Sequence, residues 1–371
     1  MEKKRKLVYV ASFINFSFGM EWMVENLDKN KYDVDFIFLN PQIPEIYHRL
    51  KLKNIQVSFL KYRGKRDLLK VILQLFVYFK RKKTAIVHAH LFDASFAAIT
   101  AAWFAGVTKR IHTRHHATIH HDSHPHAIKY DRFINTLSTR VVAVSENVKD
   151  ILINKENVEA SKVSVVHHGF DFSIIKVNEE QIIAMRKKYR LDGHYPVVGV
   201  ISRFVEWKGI QYIIPAFKQL LARFPDAKLI LANAKGDYEK EIVALLDSIP
   251  SKNYVKIEFE PEIYSLMKCF DALVHVPIDK KVEAFGQIYV EAMSCSIPVI
   301  CTLSGVANSY IQDHKNALVV PFCDSESIHV ALLELFNNPG MKVTLLNYAY
   351  KDVIERFAIQ RMIADLEKVY E

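Results

Sequence analysis

Short apolar runs alternate with longer amphipathic stretches along the whole of this 371-residue chain, and that alternation constrains its fold more than any other feature. In the first half, KLVYVASF, VDFIFL, IQVSFL, AIVHAH, KRIHTR, RVVAVS and KVSVVHHG have the length and apolar content of buried strands. Helical stretches such as EWMVENLDK and SFAAITAAWFAG separate them. Strand, helix, strand in this rhythm predicts an α/β protein with a parallel, doubly wound sheet. A polar helix and turn around residues 174–195 interrupt the rhythm, which then resumes. PVVGVISR, AKLILANA, VKIEFE, ALVHVP and PVICT are the second set of strands, with helices at GIQYIIPAFKQLLARF, GQIYVEAMSCS and SIHVALLELFNN. Two Rossmann-like domains in tandem are expected, residues 1–173 and 174–350, followed by a terminal helix over 351–371. Ligands of such sheets bind at the carboxyl ends of strands, so two of them should face each other across a cleft lined by strand-to-helix loops.

Several classes are excluded before any motif is considered. The start, MEKKRK followed by LVYVASFINFSFGM, has the look of an export signal. Ser12, Asn15 and Ser17 interrupt the apolar run and no small-residue cleavage site follows, so a buried first strand is expected. No segment reaches the roughly 18 apolar residues of a membrane span. The four cysteines, Cys269, Cys295, Cys301 and Cys323, form no CxxC pair, which argues against a zinc framework or a disulfide scaffold and for buried thiols in a reducing cytoplasm.

The net charge of +9 is concentrated. Residues 61–83, KYRGKRDLLKVILQLFVYFKRKK, carry nine basic side chains against Asp67 alone. The apolar stretch between the basic ends is too short to cross a bilayer, but as a helix it could rest on an anionic membrane surface, pack in the first domain's core, or do both. Its aromatics, Phe76, Tyr78 and Phe79, read as helix core and not as a stacking platform, so nucleic acid is not the expected partner.

The most informative loop is KKVEAFGQIYVEAMSCSIPVICT, residues 280–302. A helix opening at Phe285, Gly286 and Gln287 would offer free N–H groups and a positive dipole end to a diphosphate. Glu291, about 7 Å further along the axis, would stand where a ribose attached to that diphosphate lies. The pair Glu283 and Glu291 with FG and EAM resembles the ExxxxxxxE signature of retaining glycosyltransferases, above all glycosyltransferase family 4 with its GT-B fold. A second stretch, VVGVISRFVEWKGIQYIIPAF at 197–217, is similar to the family's diphosphate grip. There Arg203 and Lys208 would stabilise the negative charge that builds on the leaving group. VVAVSENVKDIL, VSVVHHGFDF and FGMEWMVENL extend the resemblance, the last placing Gly19 against the donor phosphate. The ending IADLEKVYE resembles a helix that crosses back to the first domain. The chain departs from the family pattern at Phe18, at His168 before Gly169, and after PVICT, where the customary glutamate is missing.

Seven histidines crowd the stretch between His112 and His126. In IHTRHH the family's TxH pattern falls on His115, which the resemblance implies stands at the reacting face, with His116 one residue away. His112, His116, His120 and His124 would form an i, i+4 metal ladder on a helix, but Thr118, Ile119 and Pro125 argue for a loop that leads into AIKYDRFINTLS. Recognition of the acceptor by His90, His116, His120 and His121 is therefore expected, with no metal ligands assigned and no essential metal ion. Asp33 and Asp35 have the DxD form of a metal-dependent transferase, but they are read as acids flanking a strand edge.

The resemblance implies a retaining transfer from a UDP- or GDP-sugar to a hydroxyl, in which the departing phosphate takes the acceptor's proton and no cofactor is required. With the basic segment at 61–83, the expected acceptor is a growing glycan on a lipid carrier at the cytoplasmic face of a membrane, in cell-surface polysaccharide or glycolipid synthesis, with a soluble acceptor as the alternative. A nucleotide-sugar 2-epimerase of the same fold and a non-catalytic nucleotide-sugar-binding subunit are the alternatives.

Overall fold

The computed structural model describes residues 4–371. Met1 to Lys3, the first half of the basic start that resembles an export signal, lie outside the described residues. The chain divides into two compact units. One comprises residues up to Phe170 together with Ile359–Glu371, and the other is Asp171–Ala358.

In the first unit, β1 (Arg5–Ser12), β2 (Tyr32–Asn40), β3 (Gln56–Lys61), β4 (Ile86–His90), β5 (Lys109–Arg114), β6 (Arg140–Ala143) and β7 (Val163–Val165) form one sheet in the order β3-β2-β1-β4-β5-β6-β7. Every pairing is parallel. The central strands are apolar on both faces because helices cover both, so β4 is buried at all of its positions. The second unit repeats the plan with β8 (Val197–Ile201), β9 (Lys228–Ala232), β10 (Tyr254–Ile257), β11 (Ala272–His275), β12 (Val299–Cys301) and β13 (Leu318–Val319), ordered β10-β9-β8-β11-β12-β13. Its core joins Val198, Val200 and Leu229 of the sheet to Ile213, Phe217 and Leu332 of the flanking helices.

Ile359–Tyr370 is a strongly amphipathic helix that buries Ile363, Leu366 and Tyr370 in the first unit. The Ile359 N–H donates to the Phe170 carbonyl at 3.0 Å. The basic segment forms the helix Leu68–Lys82, with Val71, Leu75 and Phe79 buried. Among the described residues, no helix is long and apolar enough to cross a membrane.

Two expectations need correction. Asp33 and Asp35 do stand at the start of the second strand, but β2 is interior and not an edge; the single Lys6 ammonium lies 3.0 and 2.6 Å from them, and the Tyr78 hydroxyl donates to Asp35 at 2.5 Å. The cysteines are not all buried, because Cys323 is exposed.

Candidate functional site

Each sheet reverses its strand order once, between β1 and β4 in the first unit and between β8 and β11 in the second. Loops leaving the strands at such a reversal present ligand-binding groups.

In the second unit these are the loops after β8 and β11, and a glycine lets them meet. Gly209 has φ +75°, and a Cβ there would stand 1.9 Å from the Val276 carbonyl oxygen. The close approach brings Lys208, the residue before it, to the loop after β11. Its ammonium lies 2.5 Å from Glu283 Oε2 and 4.5 Å from the centre of the Trp207 ring. His275, the last residue of β11, places Nε2 3.3 Å from the same carboxylate oxygen. Burial works against ionisation of Glu283, but Lys208 and His275 outweigh it and draw its pKa down to about 2. Burial and the Lys208 charge together lower the pKa of His275, which leaves a neutral ring beside an ionised carboxylate. Behind them the Glu283 N–H donates to Ser304 Oγ at 3.3 Å, and the Ser304 hydroxyl donates to the Asp279 carbonyl at 2.7 Å.

The helix Gln287–Ser294 starts beside this cluster. Gly286 is its N-cap at φ +86°, where a Cβ would lie 2.4 Å from the Tyr289 ring, and no side chain caps the helix. Its first N–H groups therefore keep the anion-binding character of a helix start. The expected helix start at Phe285, Gly286 and Gln287, with Gly286 opening the helix, matches Gly286 as the N-cap. Gln287 is the first helical residue, and Phe285, just before the cap, is a buried core residue packed edge-on against Phe357. Glu291 sits one turn in, where burial raises its pKa to about 7 while Tyr264 pulls the other way. Arg203 is exposed at the end of β8. A lysine held on an ionised glutamate beside an uncapped helix start, with an exposed arginine just past β8 in the same unit, makes a set of groups suited to an anion attached to a polyol. Sequence reasoning passed over His275, Ser304 and Tyr264; a histidine closing an otherwise apolar strand was the one available signal.

In the first unit, His115 follows β5 directly. Its Nε2 is 3.0 Å from His90 Nδ1, and its ring stacks on His168 with centroids 5.6 Å apart. Beneath it, His88 spans Thr113 Oγ1 and the Tyr370 hydroxyl, at 2.7 Å each, and Tyr370 bonds to Tyr9. Burial pushes His88 down to about 3 and His168 to about 4, and holds His90 and His115 well below the usual imidazole range. These rings are neutral at physiological pH and form no switch there. Leu91, just after His90, has φ +70°, a conformation that sequence does not announce in a non-glycine residue. Gly19 lies in the first turn of the helix Phe18–Asn26, whose N-cap Ser17 accepts from Met20 N. A Cβ on Gly19 would meet only Ser17 Oγ, at 3.9 Å, so no close packing demands glycine there.

The remaining histidines separate. His112 is a core residue 3.0 Å from Ser138 Oγ. His120 Nδ1 lies 2.6 Å from Asp131 Oδ2, and His121 Nε2 lies 3.3 Å from Glu156 Oε1. Burial depresses His116 to about 4. The segment is a loop broken by one helical turn, Ile119–Asp122, before the helix Ile128–Leu137.

Two doubly wound parallel sheets in tandem, the second carrying this cation, carboxylate and helix-start arrangement at its strand reversal, define the GT-B class of glycosyltransferases. The profile described as "Glycosyl transferases group 1" matches residues 181–352, and that described as "Glycosyltransferase Family 4" matches residues 22–173. The chain belongs to glycosyltransferase family 4 and is a glycosyltransferase. It is 22% identical to the capsular polysaccharide biosynthesis glycosyltransferase CapM of Staphylococcus aureus, over 99% of this chain and 97% of that one. It is 30% identical to a GDP-mannose-dependent phosphatidylinositol monomannoside mannosyltransferase of Corynebacterium glutamicum, over 42% of each chain. In fold it is similar to Anabaena Alr3699/HepE in complex with UDP and glucose, with a TM-score of 0.84, 17% identity and 98% of each chain covered.

Proposed function

We propose that the protein transfers a sugar, with retention, from a UDP- or GDP-sugar to a hydroxyl of a glycan acceptor in cell-surface polysaccharide or glycolipid synthesis. The observation that carries this reading is Lys208 held 2.5 Å from the ionised Glu283 beside the uncapped helix start at Gly286 and Gln287. Lys208, with Arg203, stabilises the leaving diphosphate, where preset positive charge counts most because it needs no reorganisation as the bond breaks. Gly286 and Gln287 approach the diphosphate through backbone, Glu291 accepts from the ribose hydroxyls, and Glu283 orients the donor sugar. His115 faces the reacting sugar as a neutral imidazole, a hydrogen-bonding group and not a charge. The departing phosphate takes the acceptor's proton, so no metal enters the donor chemistry.

The acceptor is lipid-linked at a cytoplasmic membrane face. The helix Leu68–Lys82 supports this, because Leu69, Leu73 and Val77 remain 77%, 64% and 48% exposed beside Lys70, Lys80, Arg81 and Lys82. That exposed ridge at helical spacing, with a cationic end, suits the surface of an anionic leaflet. CapM and the Corynebacterium mannosyltransferase, by their names, serve capsule and phosphatidylinositol-mannoside synthesis, which fits this assignment.

Thermal unfolding with UDP-, GDP- and ADP-sugars tests the donor, since a ligand that binds only the folded state raises its stability. A UDP- or GDP-sugar should raise the transition in wild type and much less in Lys208→Ala. No shift from any donor, with Lys208→Ala indistinguishable from wild type, would refute the assignment. Conversion of the donor to free nucleotide and an isomerised sugar without acceptor would make the protein an epimerase instead.

A further inference from the structure

His116, His120 and Asp131 have no part in the donor chemistry, yet they converge from three segments: the loop after β5, the turn Ile119–Asp122 and the helix Ile128–Leu137. One ligand atom from each lies within 4.8 Å of the other two. We propose that these three side chains bind a divalent transition-metal ion of the zinc class, with the remaining coordination position open to an adjoining cavity. The sequence reading assigned no metal ligands, because it gave this segment to a loop and could not bring Asp131 back onto it.

The spacing suits such an ion. Zinc bound tetrahedrally at about 2.0–2.1 Å from nitrogen and oxygen holds its ligand atoms about 3.3 Å apart. Here His120 Nδ1 is 2.6 Å from Asp131 Oδ2, His116 Nε2 is 3.7 Å from Asp131 Oδ1, and the two ring centroids are 3.9 Å apart. Taken to a different carboxylate oxygen in each case, the His120 contact would open by about 0.7 Å and the His116 contact close by about 0.4 Å to reach the coordination spacing. Among the described residues, His116 has no close hydrogen-bond partner at either ring nitrogen. Its Nδ1 is buried without a hydrogen bond, and its Nε2 contact is longer than one.

The local charge also favours a cation. Asp131 and Glu156 oppose the single guanidinium of Arg114, which is paired with both, and so one negative charge remains. Arg114 Nη1 lies 2.7 Å from Asp131 Oδ1 and fixes the carboxylate from behind, leaving Oδ2 toward His120. A cavity of about 210 Å³, lined by His116, Asp131, Ser95 and His115 among others, adjoins the group and has room for water. Three protein ligands beside such a space form a site in which water or a ligand hydroxyl completes the shell. The ion would pin residues 116–131 immediately after His115, and the proposal holds whatever sugar the donor carries.

The test uses full-length protein stripped with chelator and titrated with ZnCl2, then with CoCl2 for its visible spectrum. We expect one equivalent of zinc per chain, a four-coordinate cobalt spectrum, and a metal-dependent rise in melting temperature. His116→Gln and His120→Gln should each weaken zinc binding at least about 100-fold. His121→Gln, whose imidazole faces Glu156 outside the group, should bind like wild type. Melting of the metal-free variants separates loss of a ligand from loss of fold, and the cobalt spectrum of wild type is read without any variant. Absence of a saturable equivalent, an octahedral cobalt spectrum, or equal loss in His121→Gln would overturn the proposal.

Discussion

Two side chains of the second unit, Lys208 and Glu283, form a structural pair that also acts on the donor in the proposed reaction, and substitutions can separate the two roles. The pair is largely buried, so removing one partner leaves an uncompensated charge at a cost of about 3–5 kcal/mol. Lys208→Met should destabilise the protein by that amount, and adding Glu283→Gln should restore most of it. If the proposed role holds, turnover stays down by about 10² to 10³, because restored packing does not replace the cation assigned to the leaving group. Urea unfolding and initial rates on the four members of the cycle would measure both effects. Glu291 has a pH signature. Burial raises its carboxyl from 4.5 to about 7, so between those values the folded chain holds a proton that the unfolded chain has released. Its contribution to stability is fully present at the acid end and is lost as pH rises through 7, by up to about 3 kcal/mol. Buried neutral histidines such as His88 and His112 titrate in the opposite sense and make stability rise with pH. The difference between wild type and Glu291→Gln isolates the glutamate. It should grow from a constant at pH 4.5 toward the variant's advantage at pH 8 in denaturant titrations, and a pH-independent difference would refute the assignment.

At the level of elements, the sequence announced the strands well because a parallel sheet buried on both faces demands continuous apolar runs, and LVYVAS and VVGVI have few other uses. It could not say which strands are neighbours, since periodicity carries no information about order; the interior position of β2 came only with the structure. Nor could it divide the apolar stretch within residues 61–83. A helix with leucines all round conceals its buried side, and only packing shows Val71, Leu75 and Phe79 inward with Leu69, Leu73 and Val77 outward. The outward ridge and its basic end lead to a prediction. Replacing Lys80, Arg81, Lys82 and Lys83 by Gln should remove about 4 kcal/mol of attraction to an anionic surface, or roughly three orders of magnitude in binding. Sedimentation with phosphatidylglycerol vesicles would show it, with melting unchanged because these side chains are exposed. Binding that survives the change would exclude this helix as the docking element.

Across the whole molecule, the first unit is assembled from the two ends of the chain. Residues 359–371 add a helix to a unit whose strands all precede residue 170, and the second unit lies between them in sequence. Contacts that span so much chain leave no local trace. The bonds of Tyr370 to His88 and Tyr9 join residues 282 and 361 positions apart, and neither partner stands out in its own segment. The same reasoning explains why the Lys208 and Glu283 loops could be recognised separately while their ion pair, 75 positions apart, could not. The terminal helix buries Ile359, Ile363, Leu366, Val369 and Tyr370. At about 1.5–3 kcal/mol for each buried side chain, the upper estimate for the five is about 7–15 kcal/mol. That equals the whole stability of an ordinary domain, about 5–15 kcal/mol. Deleting residues 359–371 should therefore unfold the first unit at 37 °C. The second unit, whose core and donor-side groups lie within Asp171–Ala358, should keep its own transition and its stabilisation by nucleotide. Calorimetry of the shortened chain with and without UDP or GDP would resolve the two, and a single lost transition for both units would show that the second depends on the first. A milder change, Tyr370→Phe, keeps the packing and removes one hydroxyl between two buried partners. It should cost about 1–3 kcal/mol, confined to the first unit's transition, because His88 Nδ1 is left buried without its partner.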